Sequence, residues 1–157
     1  MNRSFAVLRT LIIAPLFVSI WTWFVPRWVI GAPLRVVHPE GWIPVVIGAL
    51  IAGWCAFEFA WRGVGTPAPF DPPRRLVISG LYRYVRNPMY AGVAILLIGE
   101  AWLTARIEIL YEMLIALVVV SIFVIAYEER ALRSKFGDDY IEYCRNVRRW
   151  IPRLRPW

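Results

Sequence analysis

Histidine and cysteine are scarce in this chain. Its one histidine, His38, stands in a loop without a second histidine or cysteine nearby, and Cys55 and Cys144 lie far apart, one in an apolar run and one in a charged tail. They supply neither a disulfide framework nor a CxxC pair nor a His/Cys metal site, so no metal partner is expected. Glycine-rich loops of the Rossmann or P-loop kind are missing as well. The net charge is +7, yet the basic residues are not gathered into an aromatic-interleaved soluble patch. No nucleic acid partner is expected, and attraction to membrane lipid head groups explains the charge better. An internal repeat is also lacking, which argues against a transporter.

What the chain does have is apolar runs alternating with charged blocks. Mean hydropathy is +0.54; 59% of the 157 residues are hydrophobic and 18% are charged. Length predicts one domain, residues 1–157, and the pattern predicts an all-α polytopic membrane protein with about four transmembrane helices. The runs are residues 5–25, 43–61, 89–105 and 107–127. Arg3 and Arg9 before the first run resemble a signal peptide, but the run is long, rich in Trp and Phe, and ends without a small-residue cleavage site. It reads as an uncleaved span kinked at Pro15. Residues 26–42 read as a connection. In the second run Gly48, Ala52, Ala56 and Ala60 recur every fourth residue, a stripe that suits close helix approach within the chain or across a dimer equally well, so the oligomeric state stays open.

Four prolines between Thr66 and Arg75 exclude helix, and residues 62–79 are expected as an extended interfacial segment. Runs three and four, parted by Arg106, predict a tight hairpin. Carboxylates in a bilayer are costly, so Glu58 and Glu100 should face protein or water, whereas Glu112, near a helix end, is expected to be exposed at the interface. The tail, residues 128–150, carries Leu132, Phe136, Tyr140 and Tyr143 on one helical face, with a bend expected at Gly137. It is expected to lie on the membrane surface.

Orientation follows from counting cations. Four spans put the N-terminus, the 62–88 connection and the tail on one side, with 14 of the 18 Lys and Arg residues; Arg27, Arg35 and Arg106 fall on the other, and Arg9 is within the first run. The positive-inside rule then predicts an integral membrane protein, of bacterial inner-membrane type, with both termini cytoplasmic.

Two polar clusters fall on that cytoplasmic side. Tyr82, Arg86, Asn87 and Tyr90 open the third run, with Pro88 suited to a first helical turn, and Glu128 and Glu129 close the fourth. In a hairpin these ends are neighbours, and cations would meet carboxylates either as a lock on the hairpin or as a pocket for a zwitterion.

The ordered set Gly80-x-Tyr82-x-x-x-Arg86-Asn87-Pro88-x-Tyr90-x-Gly92, an apolar hairpin, then Glu128-Glu129-x-x-Leu132-x-x-x-Phe136-Gly137-x-x-Tyr140-x-x-Tyr143, resembles the integral-membrane methyltransferases, among them isoprenylcysteine carboxyl methyltransferase and the phospholipid N-methyltransferases. The resemblance covers about residues 76–153. It implies S-adenosylmethionine as cofactor, with S-adenosylhomocysteine as product, and a lipophilic acceptor arriving from the bilayer. It further implies a cofactor site formed by Tyr82, Arg86, Asn87, Pro88, Tyr90, Gly92, Glu128, Glu129, Tyr140 and Tyr143. Catalytic roles are expected for Arg86, Glu129, Arg145 and Arg148, the last two as candidates for the tail arginine that meets an acceptor carboxylate. Where the family usually has a histidine this chain has Asn87, which does not titrate and so supplies no general base there.

Methyl transfer from a sulfonium needs alignment and exclusion of water more than acid–base chemistry. A carboxylate acceptor needs only cations to position it; an amine must be deprotonated, a task open to Glu128 or Glu129. The expected function is methyl transfer to a lipid or lipophilic small molecule. The alternative is a non-catalytic membrane scaffold or lipid-binding subunit.

Overall fold

In the computed structural model, the described residues are 24–31, 35–64 and 73–157, with Leu8, Ile12 and Ile20; most of the first expected span and residues 65–72 lie outside them. Within this set the chain is helical, with no strand. Residues expected as a connection form a short helix α1 (Val25–Ile30), which stops where Gly31 turns left-handed at φ 66°. Helices α2 (Trp42–Gly63), α3 (Pro88–Thr104) and α4 (Glu108–Phe123) follow, then a π turn (Val124–Glu128) and α5 (Glu129–Asn146).

Helices α2 and α3 pack backbone to backbone. A Cβ placed on Gly48 would stand 2.4 Å from Leu96 N, and one on Gly99 would stand 2.5 Å from Val45 N. Ala52, Ala56 and Ala60 continue the same buried face of α2. Hence the small-residue stripe is consumed within the chain. Small side chains let two helices meet at a distance where dispersion acts along their whole length, the usual solution when water does not drive association.

Helices α3 and α4 form the expected hairpin. Ala105 takes the left-handed conformation that ends α3, and Leu97, Ala101 and Ile109 pack across the turn. Glu58 and Glu100 are both buried, as expected; Glu58 accepts a hydrogen bond from Ser79 and pairs with Arg62 at 3.0 Å. Glu112 departs from expectation. It is only 8% exposed, because it lies one turn into α4 on the face that carries Ile109.

Two helical stretches, Pro39–Gly63 and Glu108–Asn146, are long and apolar enough to cross a membrane, and the apolar α3 is shorter at 17 residues. At 1.5 Å per residue α3 reaches about 26 Å, just short of a ~30 Å hydrocarbon core. Much of the outer surface of α4 is exposed Leu, Ile and Val, including Leu114, Ile115, Val118 and Ile122. Such a face belongs in lipid.

The tail bends at Gly137 (φ 53°, ψ −126°), as expected. Its apolar face does not lie free for the membrane. Leu132, Phe136, Tyr140 and Tyr143 pack instead with Leu76, Ile78, Val147 and Trp157 of the same chain.

Candidate functional site

Three apolar helix ends converge on the site: the end of α2, the start of α3 and the end of α4. A 3-10 turn, Gly80–Arg83, buries Tyr82, whose hydroxyl makes a long 3.4 Å hydrogen bond to Cys55 O. Asn87 is held outside helical geometry (φ −122°, ψ 54°) by Pro88 in the first turn of α3. Arg86 and Asn87 therefore stand at the helix mouth. From the other side, the π turn ends in a bond from Glu129 N–H to Val124 O. One residue of extra winding there turns the Glu128–Glu129 pair relative to the rest of α4.

The two clusters meet. Arg86 Nη1 donates to Glu129 Oε1 at 2.9 Å and to Cys144 Sγ at 2.9 Å. Arg149 grips the same carboxylate at both oxygens, Nε to Oε1 at 2.6 Å and Nη2 to Oε2 at 2.9 Å. This forked pairing is the strong form of an arginine–carboxylate bond. Sequence reasoning missed Arg149. The candidates it selected in the tail, Arg145 and Arg148, are exposed. Residues 147–151 leave the helix, so neighbouring arginines there point in different directions, and one residue of register decides which one turns inward.

Main-chain bonds strap this C-terminal segment over the loop before α3. Arg86 N–H donates to Arg148 O at 2.9 Å, Asn87 Nδ2 to Arg149 O at 3.2 Å, and Arg153 N–H to Tyr84 O at 2.9 Å. At the end of the strap Trp157 O accepts from Arg83 Nε. Tyr143 adds a 2.7 Å bond from its hydroxyl to Tyr82 O.

Between residues 73–77, the loop before α3 and α5 lies a cavity of about 40 Å³. Tyr82, Arg86, Asn87, Glu128, Glu129, Tyr140 and Tyr143 line it, with Phe59, Leu76 and Leu132 among its apolar neighbours. The other residues selected from sequence do not line it. Pro88 is buried in the first turn of α3, Tyr90 stacks obliquely on Trp150 at 6.3 Å, and Gly92 faces α2, where a Cβ would stand 2.8 Å from Ala52 N.

Glu128 and Glu129 are electrostatically unlike. Burial, then the charge of Glu129, pushes the Glu128 carboxyl up to about 7. Burial also acts to raise Glu129, but the hydrogen bonds from Arg149 and the charges of Arg86, Arg149 and Arg133 outweigh it and hold that carboxyl below its ordinary range. Near neutral pH one of the pair is thus poised to titrate and the other is locked as an anion. Burial raises the Tyr82 and Tyr143 phenols, which stay neutral. Arg86 Nε is buried and has no hydrogen-bond partner among the described residues.

Fold and site together define a membrane-type protein, helical among the described residues, with a charged cavity at one end of its apolar helices. The family model for phospholipid methyltransferases matches residues 39–139, and the chain belongs to that family. Among curated relatives, methanethiol S-methyltransferase 1 of Bradyrhizobium diazoefficiens is 36% identical over 81 residues, 51% of this chain and 27% of that protein. Protein-S-isoprenylcysteine O-methyltransferase of Schizosaccharomyces pombe is 38% identical over 79 residues, 49% of this chain and 33% of that protein. A Haemophilus influenzae protein without an assigned activity matches over its whole length, 39% identical across 64 residues. The chain thus spans only a third or less of the length of the first two relatives. No solved structure matches it.

Proposed function

We propose that this chain transfers a methyl group from S-adenosylmethionine to a lipid or lipophilic small-molecule acceptor at the cytoplasmic face of a membrane. In this reading residues 1–157 form one four-span domain of the bacterial inner membrane, with residues 5–25 as the first span and both termini cytoplasmic. The observation that carries the proposal is the cavity between Arg86 and Glu128, on the membrane-surface end of the family-matched helices.

The lining suits the proposed cofactor chemically. Arg86 Nε is a buried donor awaiting an anion, Glu128 is in no ion pair among the described residues, and Tyr82, Tyr140 and Tyr143 offer ring surface. When bound, the cofactor supplies an electrophilic methyl group. Residues of this chain align the partners and keep water out. For an amine acceptor Glu128 takes the proton, since its carboxyl titrates near neutrality while Glu129 is held by two guanidinium groups. For a carboxylate acceptor no base is needed, and Arg86 supplies the positioning cation.

At about 40 Å³ the cavity holds a few waters and not a nucleoside. Loading it requires its lining residues to move apart. The small size of the cavity also favours a second reading, a scaffold in which Arg86, Glu129 and Arg149 only lock the helices. Calorimetry of S-adenosylhomocysteine with the detergent-purified protein separates the two. The expected result is micromolar-range binding that Arg86→Ala abolishes. Failure of well-folded wild type to bind, with lipid added, would leave the scaffold.

Acidity supplies a further check. Because the Glu128 carboxyl is raised to about 7, it is mostly uncharged at pH 6 and mostly anionic at pH 8. Affinity for the cofactor's cationic end should rise about tenfold across that interval. In Glu128→Gln the rise should vanish; an unchanged slope would remove Glu128 from recognition. The same shift makes the folded state bind the extra proton between the ordinary carboxylate range and about 7, so this group's contribution to stability falls as pH rises through that window.

A further inference from the structure

A second recess opens beside the cavity, between residues 74–78 and the part of α5 beyond Gly137. It measures about 500 Å³. Leu76, Ile78 and Trp157 give it apolar surface; Arg74 and Arg75 flank it on one side, Asp139 and Glu142 on the other. All four charged residues are exposed, and none is in an ion pair among the described residues. Leu76 lines both spaces, but Glu128 and Glu129 line the cavity alone.

The depth of this recess is set by main-chain bonds. Arg74 N–H and Arg75 N–H both donate to Gly63 O, at 2.7 and 3.2 Å. Gly63 is the last residue of α2, one of the stretches able to cross a membrane. The arginine pair is therefore fixed at the end of an apolar helix, the level at which hydrocarbon gives way to head groups.

We propose that this recess docks the head group of a zwitterionic phospholipid, with the phosphate against Arg74 and Arg75 and the ammonium against Asp139 and Glu142. The glycerol region then covers Leu76, Ile78 and Trp157. Both signs of charge are required. An anionic lipid satisfies the arginines but is repelled by the two carboxylates, and an uncharged lipid satisfies neither side. The consequence is that the loop before α3 and the tail that straps it are held at one height in the bilayer. This proposal rests on the membrane placement of the helix ends and not on the identity of the methyl acceptor.

Native mass spectrometry of the full chain in detergent, with short-chain phosphatidylethanolamine, phosphatidylglycerol, diacylglycerol and inorganic phosphate as separate probes, tests it. Wild type should retain phosphatidylethanolamine best. The double variant Arg74→Gln/Arg75→Gln should weaken that retention at least about tenfold, as expected for losing charge-assisted hydrogen bonds. Asp139→Asn/Glu142→Gln should shift the preference toward phosphatidylglycerol. Glu128→Gln, which changes only the cavity, should leave in place the share of retention that the two double variants remove. Equal retention of the zwitterionic and anionic lipids by wild type would overturn the proposal. So would retention sensitive to Glu128→Gln but indifferent to both double variants, which places the lipid in the cavity, or binding of inorganic phosphate as tight as that of the lipid, which reduces the recess to an anion site. The four recess positions are exposed, and an unchanged thermal midpoint for each variant excludes misfolding as the cause.

Discussion

Valine in place of Gly48 is expected to separate α2 from α3, while alanine in place of Gly53 on the same helix is expected to leave the pair intact. The first Cβ at position 48 would stand 2.4 Å from Leu96 N and 2.5 Å from Gly92 O, both main-chain atoms that cannot swing aside. Nothing lies within 4 Å of a Cβ at position 53. Overpacking of a close contact costs about 1–3 kcal/mol, and a branched side chain against backbone belongs at the top of that range or above it. Gly53→Ala instead gains up to about 1 kcal/mol of helix propensity. Thermal unfolding in detergent reads both. A Gly48→Val protein as stable as wild type would mean that the helices do not meet along this stripe. The effect should reach the site, because α2 carries Cys55, whose carbonyl holds Tyr82, and α3 carries the mouth at Asn87.

Glu129→Gln is the second variant with a large expected effect. The wild-type carboxylate receives Arg86 and both ends of the Arg149 fork. Glutamine keeps the shape and one acceptor but leaves two guanidinium groups facing each other without a counter-charge. Removing one partner of a buried pair costs about 3–5 kcal/mol. The Arg149 side chain is 30% exposed, so about 2–4 kcal/mol is expected here once water takes part of the load. That loss falls on the contact between α5, the strap and the loop before α3. Limited proteolysis should then cut within residues 147–157, while the apolar helices stay intact, and methyl transfer should drop at least about 100-fold because a loosened strap, which bonds the Arg86 main chain, misplaces Arg86. Near-normal turnover with a protected tail would show that the ion pairs are dispensable. Acid should mimic the variant. The folded carboxyl is held below its ordinary range, so its stabilisation is complete at neutral pH and is lost only as pH falls through that lowered value.

Much of this was legible in the chain itself. Hydropathy and proline placement marked α2, α3 and α4, because helix length and apolar content are local properties that no partner needs to supply. The hairpin followed from having a single arginine between two apolar runs, and the meeting of Arg86 with Glu129 followed from the hairpin. Pro88 after Asn87 set the start of α3, and Gly137 set the bend in the tail, through backbone sterics alone. The Gly48 stripe was visible too, but its partner was not, since a small residue permits close approach without saying from which chain.

Tertiary structure decided what depends on register and on distant segments. Arg149, and neither Arg145 nor Arg148, reaches Glu129, because beyond α5 the chain leaves helical periodicity and side-chain direction is no longer predictable from spacing. Glu112 is buried because α4 turns that side toward α3. The tail keeps its apolar face for Leu76, Ile78 and Trp157 because residues 74–78 return from the end of α2 to cover it. The π turn that rotates the acidic pair has no mark in composition. Sequence determined which segments are apolar helices and which polar residues stand at their ends; only long-range packing chose which of those residues face one another, since that choice depends on relative rotation between helices far apart in the chain.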